Sequence, residues 1–379
     1  MRKVYGKVPL KAALVLVLVS LMVLAACTSA DDAPETATTE PATAVPATAA
    51  PTQSADPEET PAEVEGPAVQ STAEAVPGVC EAAPLPELPV SPVTEDDWVK
   101  GADVENAEIT IFEYSDFECP GCAGMYPVLQ EFLDDYPNIR LVYRHFPLDM
   151  HQHAMITAEA SEAAGAQGKF WEMHNVLFDT RDEWQPLTEE DILAKLSEYA
   201  EDLDLDVERF ERELENGTYE EKVQAQYDES RELGLPGTPT LIFNNVLFPS
   251  DIGLSYQGLE AFLGIVNNQD ELFFDAPPPV TVEEGDAYQA TLSTSQGDLV
   301  VNLNTEAAPV NVNSFVFLAE ESWYDGANFF FVQDDFVAVT GDPTNSTVGY
   351  PGYYCTGEAD GVFESAGLVG MLPNGQFFV

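Results

Sequence analysis

The residues in this 379-residue chain best suited to covalent chemistry are Cys119 and Cys122, separated by Pro120 and Gly121. An apolar run, residues 109–112, leads towards them, and helix-forming sequence follows at once. Thiols three residues apart at the start of a helix share a face and can close into a disulfide. The first also meets unpaired N–H groups and the positive end of the helix dipole, which favour thiolate over thiol. Pro120 suits the first helical turn, where an N–H would find no acceptor. This is the layout of a redox-active dithiol, with Cys119 attacking a substrate disulfide and Cys122 resolving the mixed disulfide. Spacing alone leaves two other uses open. The pair could be a structural disulfide, or half of a metal site completed from His145, His151, His153 and His174. The His151–His153 spacing is not that of a zinc finger, and no metal is assigned. Asp116 and Glu118 flank the pair and are expected to raise the Cys119 pKa, working against the dipole. That points to a moderate oxidant or a disulfide isomerase.

The elements that must position the pair are an alternation of strands and helices. Residues 108–117 read as a buried strand, 125–136 as a continuation of the helix, and 139–146 as a second strand. Helical periodicity then runs through 154–178, 189–200, 206–215 and 219–233. Strands are expected at 240–243 and 246–248 around an Asn244-Asn245 turn, followed by a helix over 257–267. This is an α/β core with a helical insertion. The proline run at 277–279 reads as a short stiff hinge. Beyond it, strands at 288–295 and 298–304, a helix at 310–320 and aromatic-rich β sequence at 328–340 make a β-dominated segment.

Upstream, Arg2, Lys3, Lys7 and Lys11 precede an uncharged apolar run over 12–26, the pattern of a secretory signal. It ends in Leu24-Ala25-Ala26-Cys27, which resembles the lipobox of bacterial lipoproteins and implies a lipid anchor on Cys27. An ordinary signal cleaved near Ala26 is the alternative. Either reading places the protein outside the cytoplasm, where disulfides persist. Residues 27–92 are rich in Ala, Thr, Pro and Glu and are expected to be a disordered tether. The chain carries 67 acidic against 14 basic side chains, a formal charge of −53, which excludes nucleic acid and anionic lipid head groups as partners. Cys80 and Cys355 remain; they could pair with each other, stay free or pair between chains.

Four motifs carry a resemblance to DsbA-like proteins of the thioredoxin superfamily. They are the stretch from Glu113 to Cys122, Tyr143 to Leu148, Gly168 to Trp171 with His174, and Gly237 to Thr240. The resemblance covers about residues 93–272. It implies a thioredoxin-like fold, a cis Pro239 against the cysteine pair, and a Thr238 backbone that pairs with substrate peptide. It also implies exported cysteine-containing substrates, a membrane redox partner and no cofactor beyond the two thiols. A linker is expected over 273–285. Residues 286–379 resemble part of a cyclophilin-type peptidyl-prolyl isomerase, with Phe336, Gln376 and Phe378 at positions that line the proline pocket. The family's catalytic Arg is Phe331 here, the expected glutamine is Val339, and no Lys, Arg or His occurs after Arg231. The chain stops at Val379, short of the family's later strands, so an open barrel edge is expected. The reading is an exported, tethered thiol–disulfide oxidoreductase. Its alternatives are a peptidyl-prolyl isomerase with a thioredoxin-like companion and a client- or metal-binding lipoprotein.

Overall fold

The structure, a computed structural model, describes residues 78–250, 252–283, 285–356, 358 and 367–379. The leader, Cys27 and the tether up to residue 77 lie outside the described residues. Strands β1 (Val79–Ala82), β2 (Trp98–Gly101) and β3 (Ile109–Ser115) precede helix α1 (Pro120–Asp135) and strand β4 (Ile139–His145). Six helices follow: α2 (Ala154–Gly165), α3 (Phe170–Asp179), α4 (Arg181–Trp184), α5 (Glu189–Asp202), α6 (Val207–Glu215) and α7 (Glu220–Glu232). Strands β5 (Thr240–Phe243) and β6 (Val246–Leu247) and helices α8 (Tyr256–Asn267) and α9 (Gln269–Leu272) complete this part.

Strand β3 is the axis of a five-stranded sheet ordered β2-β4-β3-β5-β6, parallel to β4 and antiparallel to β5. Its seven residues are all buried because both faces are covered. Alternation sends Ile109 and Ile111 to one side, where Met125, Leu129 and Phe132 of α1 and Phe262 of α8 meet them. Phe112 and Tyr114 face the other side, packed with Val142 and Phe146 and closed over by Val90, Val93 and Tyr227. The inserted helices bury Phe170, Met173, Leu177, Trp184, Leu196 and Phe210 in one cluster with Cys122 and Tyr143. Each such large apolar side chain contributes roughly 1.5–3 kcal/mol. Arg144, buried in β4, joins Asp97 at 3.0 Å and Glu229 of α7 at 3.1 Å. The same guanidinium donates to the Ser91 carbonyl, so one side chain pins the N-terminal segment, the sheet and the insertion together.

This is the thioredoxin-like α/β arrangement with a helical insertion, and it differs from expectation in three places. The periodic stretch 154–178 is two helices, because Gly168 takes φ +79° and turns the chain between them. Residues 78–92, expected in the disordered tether, are laid against the folded part. There β1 pairs with a later strand, Glu87 bridges Val246, and Leu88 and Val90 fill the sheet's second face. The residues after the proline run are held by Asn313, whose side chain accepts from the Thr281 and Val282 N–H groups and donates to the Pro279 carbonyl.

The C-terminal part contains β7 (Tyr288–Thr294), β8 (Gly297–Leu303), α10 (Pro309–Glu320), β9 (Phe331–Gln333), β10 (Val337–Thr340), β11 (Tyr353–Thr356), β12 (Gly370–Met371) and β13 (Phe377–Phe378). The β7–β8 hairpin stands as its own two-stranded sheet, and β12-β13-β10-β9 form another. Among the described residues these sheets do not close into a barrel. The expected aromatic β stretch is a hairpin, turning where Asp335 adopts φ +57°. Strand β1 pairs with β11 so that Cys80 lies opposite Cys355, and the two form a disulfide. Of the pairings left open by the sequence, the intramolecular one is realised.

Candidate functional site

Cys119 is the N-cap residue of α1, in extended conformation, and Pro120 opens the helix. The helix starts there because the Cys119 N–H is held by the Asp116 carbonyl and the Cys119 carbonyl accepts from Ala123. Both cysteines are free thiols and both are buried, Cys119 at the surface end and Cys122 completely. The Thr238–Pro239 bond is cis, as the resemblance implied. Cys119 Sγ donates to the Thr238 carbonyl at 3.3 Å. A Cβ at Gly121 would lie 3.1 Å from Pro239 Cδ, so a residue larger than glycine would crowd the loop there.

The two thiols are electrostatically unlike. Cys119 is lowered to about 5, chiefly because the Cys122 thiol hydrogen-bonds its sulfur, with help from the N–H groups of Gly121 and Cys122. Cys122 is pushed well above an ordinary thiol by burial and by its neighbour. One thiol is therefore prepared to ionise while the other keeps its proton.

Asp116 and Glu118 do not act on Cys119 as expected. The buried Asp116 carboxylate accepts from the Glu118 and Leu148 N–H groups, both at 2.8 Å, and sits 2.7 Å from His151 Nδ1. Glu118 accepts from the His153 N–H at 2.6 Å, while its own carbonyl receives Arg181 Nε. These acids tie the segment before Cys119 to the loop after β4. His145 is bound to the buried Glu162 at 3.0 Å. His174 is buried among Phe117, Tyr126, Tyr143 and Trp171, and that burial drives its pKa down to about 3.

One buried acid was given no role by the sequence. Glu113 lies in β3, 2 % exposed, and burial raises its pKa to about 7. Its Oε1 has no hydrogen-bond partner. The available signal was a lone acid within the otherwise apolar and hydroxylic run 109–115. A cavity of about 10 Å³, the size of a single water molecule, borders it and is lined also by Lys100, Gln130, Trp171 and His174.

The three C-terminal site residues differ in exposure. Phe336 stands in the β9–β10 turn, 77 % exposed. Gln376 is buried and its amide donates to the Thr347 and Gly349 carbonyls. Phe378 pairs with Val339 in β13. Phe331, where the resembled family has its Arg, is exposed.

Comparison with known proteins divides the chain in the same way. Residues 94–263 match the model of the family described as Thioredoxin, and residues 289–378 that of Cyclophilin type peptidyl-prolyl cis-trans isomerase/CLD. A Na(+)/H(+) antiporter NhaA 1 of Salinispora arenicola is 41% identical over 173 residues, covering 45% of this chain and 25% of that protein. The NhaA antiporter of Herminiimonas arsenicoxydans is 38% identical over 157 residues, 41% of this chain and 23% of its own length. The chain thus spans about a quarter of the curated relatives it matches. Two solved structures are also similar. BdbD from Bacillus subtilis is 21% identical with a TM-score of 0.39, covering 48% of this chain and 96% of that one. MdbA, a thiol-disulfide oxidoreductase from Actinomyces oris, is 18% identical with a TM-score of 0.37, covering 44% and 84%. Among the described residues no helix is long and apolar enough to cross a membrane. The Cys119–Cys122 pair thus lies in the segment that matches the thioredoxin model, and a segment that matches the cyclophilin-type model follows it.

Proposed function

We propose that this protein is an exported thiol–disulfide oxidoreductase acting on cysteine-containing proteins through Cys119 and Cys122. The observation that carries the reading is the asymmetry of the pair. Cys119 sits at a helix N-terminus with its pKa lowered to about 5, and Cys122 is fully buried with its proton held. In the reducing direction the Cys119 thiolate attacks a substrate disulfide, forming one S–S bond and releasing one substrate thiolate. Cys122 then loses its proton and attacks the Cys119 sulfur, forming the Cys119–Cys122 disulfide and freeing the second substrate thiol. Oxidation of a substrate dithiol is the same sequence reversed. Glu113, poised near neutrality beneath the pair, is the base that takes the Cys122 proton and the acid that returns it. Thr238 and Pro239 face the attacking sulfur and form the substrate-binding edge.

A Cys119 pKa near 5 falls between an ordinary thiol and the ~3.5 of the most acidic active-site cysteines, which suits a moderate oxidant or isomerase. The basic start of the chain, the apolar run over 12–26 and the lipobox-like Leu24–Cys27 support export and a lipid anchor on Cys27, with a membrane redox partner. The test is reduction of insulin by a dithiol and reoxidative folding of a reduced substrate, compared between the natural protein and Cys119→Ser. Equal rates for the two would end this reading.

The cyclophilin-type match favours a second activity, peptidyl-prolyl isomerisation by residues 289–378. The chemistry argues against it. With no cation after Arg231, nothing there offers a charged hydrogen bond to the twisting prolyl amide. Ordinary cyclophilin turnover of a proline peptide would reverse that judgement.

A further inference from the structure

Residues 116–118 carry the chain from β3 into Cys119, and each is held from outside its own segment. The Asp116 carboxylate accepts from the Leu148 N–H and lies 2.7 Å from His151 Nδ1. The buried Phe117 ring lies 5.0 Å from that of Phe178 in α3 and 5.4 Å from that of Tyr143. Glu118 is held twice, through its carboxylate and through its carbonyl.

The second of those bonds falls on the peptide that joins Glu118 to Cys119. That unit is planar, so its C=O and N–H point to opposite sides and turn together. The Glu118 carbonyl accepts from Arg181 Nε at 2.8 Å, and the Cys119 N–H donates to the Asp116 carbonyl at 3.0 Å. Bonded at both edges, the plane cannot rotate without losing one bond or the other. Its orientation matters because Cys119 is the N-cap, whose φ of −70° and ψ of 124° aim the thiol. In that conformation Sγ reaches the Thr238 carbonyl at 3.3 Å.

Arg181 brings in the helical insertion. It opens the short α4, which is anchored by the fully buried Trp184, whose Nε1 donates to the Leu177 carbonyl at 2.8 Å. The Glu118 carboxylate accepts from the His153 N–H at 2.6 Å. His153 Nε2 in turn donates to the carbonyl of Leu187, just past α4, at 2.9 Å. These bonds make a circuit from Glu118 to His153, to Leu187, and back through α4 and Arg181 to the Glu118 carbonyl. None of them ends on the Cys119 sulfur, so the circuit acts on Cys119 through the backbone.

We infer that Glu118 and Arg181 are positioning residues for Cys119, fixing the peptide plane before it and so coupling the attacking thiol to the helical insertion. The inference rests on the oxidoreductase reading above. At Glu118 a position effect and a charge effect have opposite signs. A carboxylate acting by its charge opposes the nearby thiolate, so its removal would make Cys119 easier to ionise. A carboxylate acting by its bond keeps the sulfur at the helix N-terminus, so its removal makes Cys119 harder to ionise.

The rate of Cys119 alkylation by iodoacetamide, followed against pH in the reduced full-length protein by mass spectrometry, reads that sign. Glu118→Ala should raise the pH midpoint by roughly half a unit to one unit, the equivalent of one hydrogen bond. Glu118→Gln keeps an oxygen for the His153 N–H and should stay at the natural midpoint. Arg181→Met keeps the apolar stem, loses the donor to the Glu118 carbonyl, and should raise the midpoint as well. A midpoint lowered in both Glu118 variants would overturn the inference, since that is the signature of charge. So would a Glu118→Ala or an Arg181→Met that titrates like the natural protein, or a Glu118→Gln displaced as far as Glu118→Ala. Should Glu118→Ala fail to fold, the other two decide: Glu118→Gln below the natural midpoint, or Arg181→Met at it, overturns the positioning role. Failure of the parent reading looks different. The natural protein would then show an ordinary thiol midpoint at Cys119 and form no mixed disulfide with glutathione disulfide.

Discussion

The thioredoxin-family segment and the cyclophilin-type segment have spent their polar groups in opposite ways. In the first, acids and bases are drawn inside: Glu113, Asp116, Glu118, Arg144, His145 and Glu162 are all buried. Most are bound to a specific partner, while Glu113 of β3 keeps an unpaired oxygen. In the second, β9 is exposed along its length and β8 nearly so, with Phe331, Val332 and Phe336 facing outward. Its buried amides hold chain segments: Gln376 donates to the Thr347 and Gly349 carbonyls, and Asn313 binds the residues after the proline run. Both segments match family models, and the pair of unlike thiols and the raised acid of β3 belong to the first.

The largest effect that would break this contrast is on turnover. Cys119→Ser should bring disulfide reduction and oxidation to background, a loss on the order of a thousandfold or more, because the other free thiol among the described residues, Cys122, is fully buried. No single substitution in residues 289–378 should approach that. Insulin reduction measured for both sets of variants compares the segments directly.

A smaller effect concerns what holds the second segment in place. The Cys80–Cys355 bridge closes a loop of 275 residues, and removing a native disulfide costs about 2–5 kcal/mol. Its sulfurs pack with Leu318, Trp323 and Tyr353. Replacing both cysteines by alanine should therefore lower the stability reported by Trp323 far more than that reported by Trp98, Trp171 and Trp184. Urea unfolding with the natural protein and a Trp323→Phe variant separates the two signals. A uniform loss across both segments would mean that they unfold as one unit.

Glu113 gives a pH signature confined to the first segment. The folded protein keeps the Glu113 proton up to about pH 7, whereas the unfolded chain releases it near 4.5. Between those values the native state binds more protons, so stability falls as pH rises, by about 3 kcal/mol once above pH 7. Glu113→Gln should remove that slope. The variant should match the natural protein near pH 4.5 and exceed it by about 1–3 kcal/mol at pH 8 in denaturant titrations. An unchanged slope would show that the carboxylate is not the group held up.

Much of the first segment was legible because local pattern and tertiary demand agree there. The run 109–115, the helix after Cys119 and the strand 240–243 all carry the periodicity of the layer they join. What escaped the sequence was direction. Asp116 and Glu118 looked like charges aimed at Cys119, and only the positions of Leu148, His151 and His153 show them turned towards another loop. Glu113 was invisible as a functional residue because a single acid in a strand says nothing about which face it takes. The order of residues 78–92 was hidden for a related reason. Their apolar anchors, Leu85, Leu88 and Val90, are too few and too spaced to announce a folded segment, and they count only because the sheet offers them a face.

The smallest expected effect concerns Phe336 in the second segment. Phe336 is carried over by position as a pocket residue, yet it stands in a turn with 77 % of its surface in solvent and donates its N–H to the Gln333 carbonyl. A side chain so exposed buries little apolar area, and surface changes away from caps and cores stay within about 0.5 kcal/mol. Phe336→Ser should leave the unfolding midpoint unchanged, and by removing an aromatic ring from an exposed hairpin it should reduce self-association at high concentration. If instead the substitution abolished binding of a proline peptide seen with the natural protein, Phe336 would be lining a site after all. The contrast between the two segments would then have to be drawn in affinity rather than in chemistry.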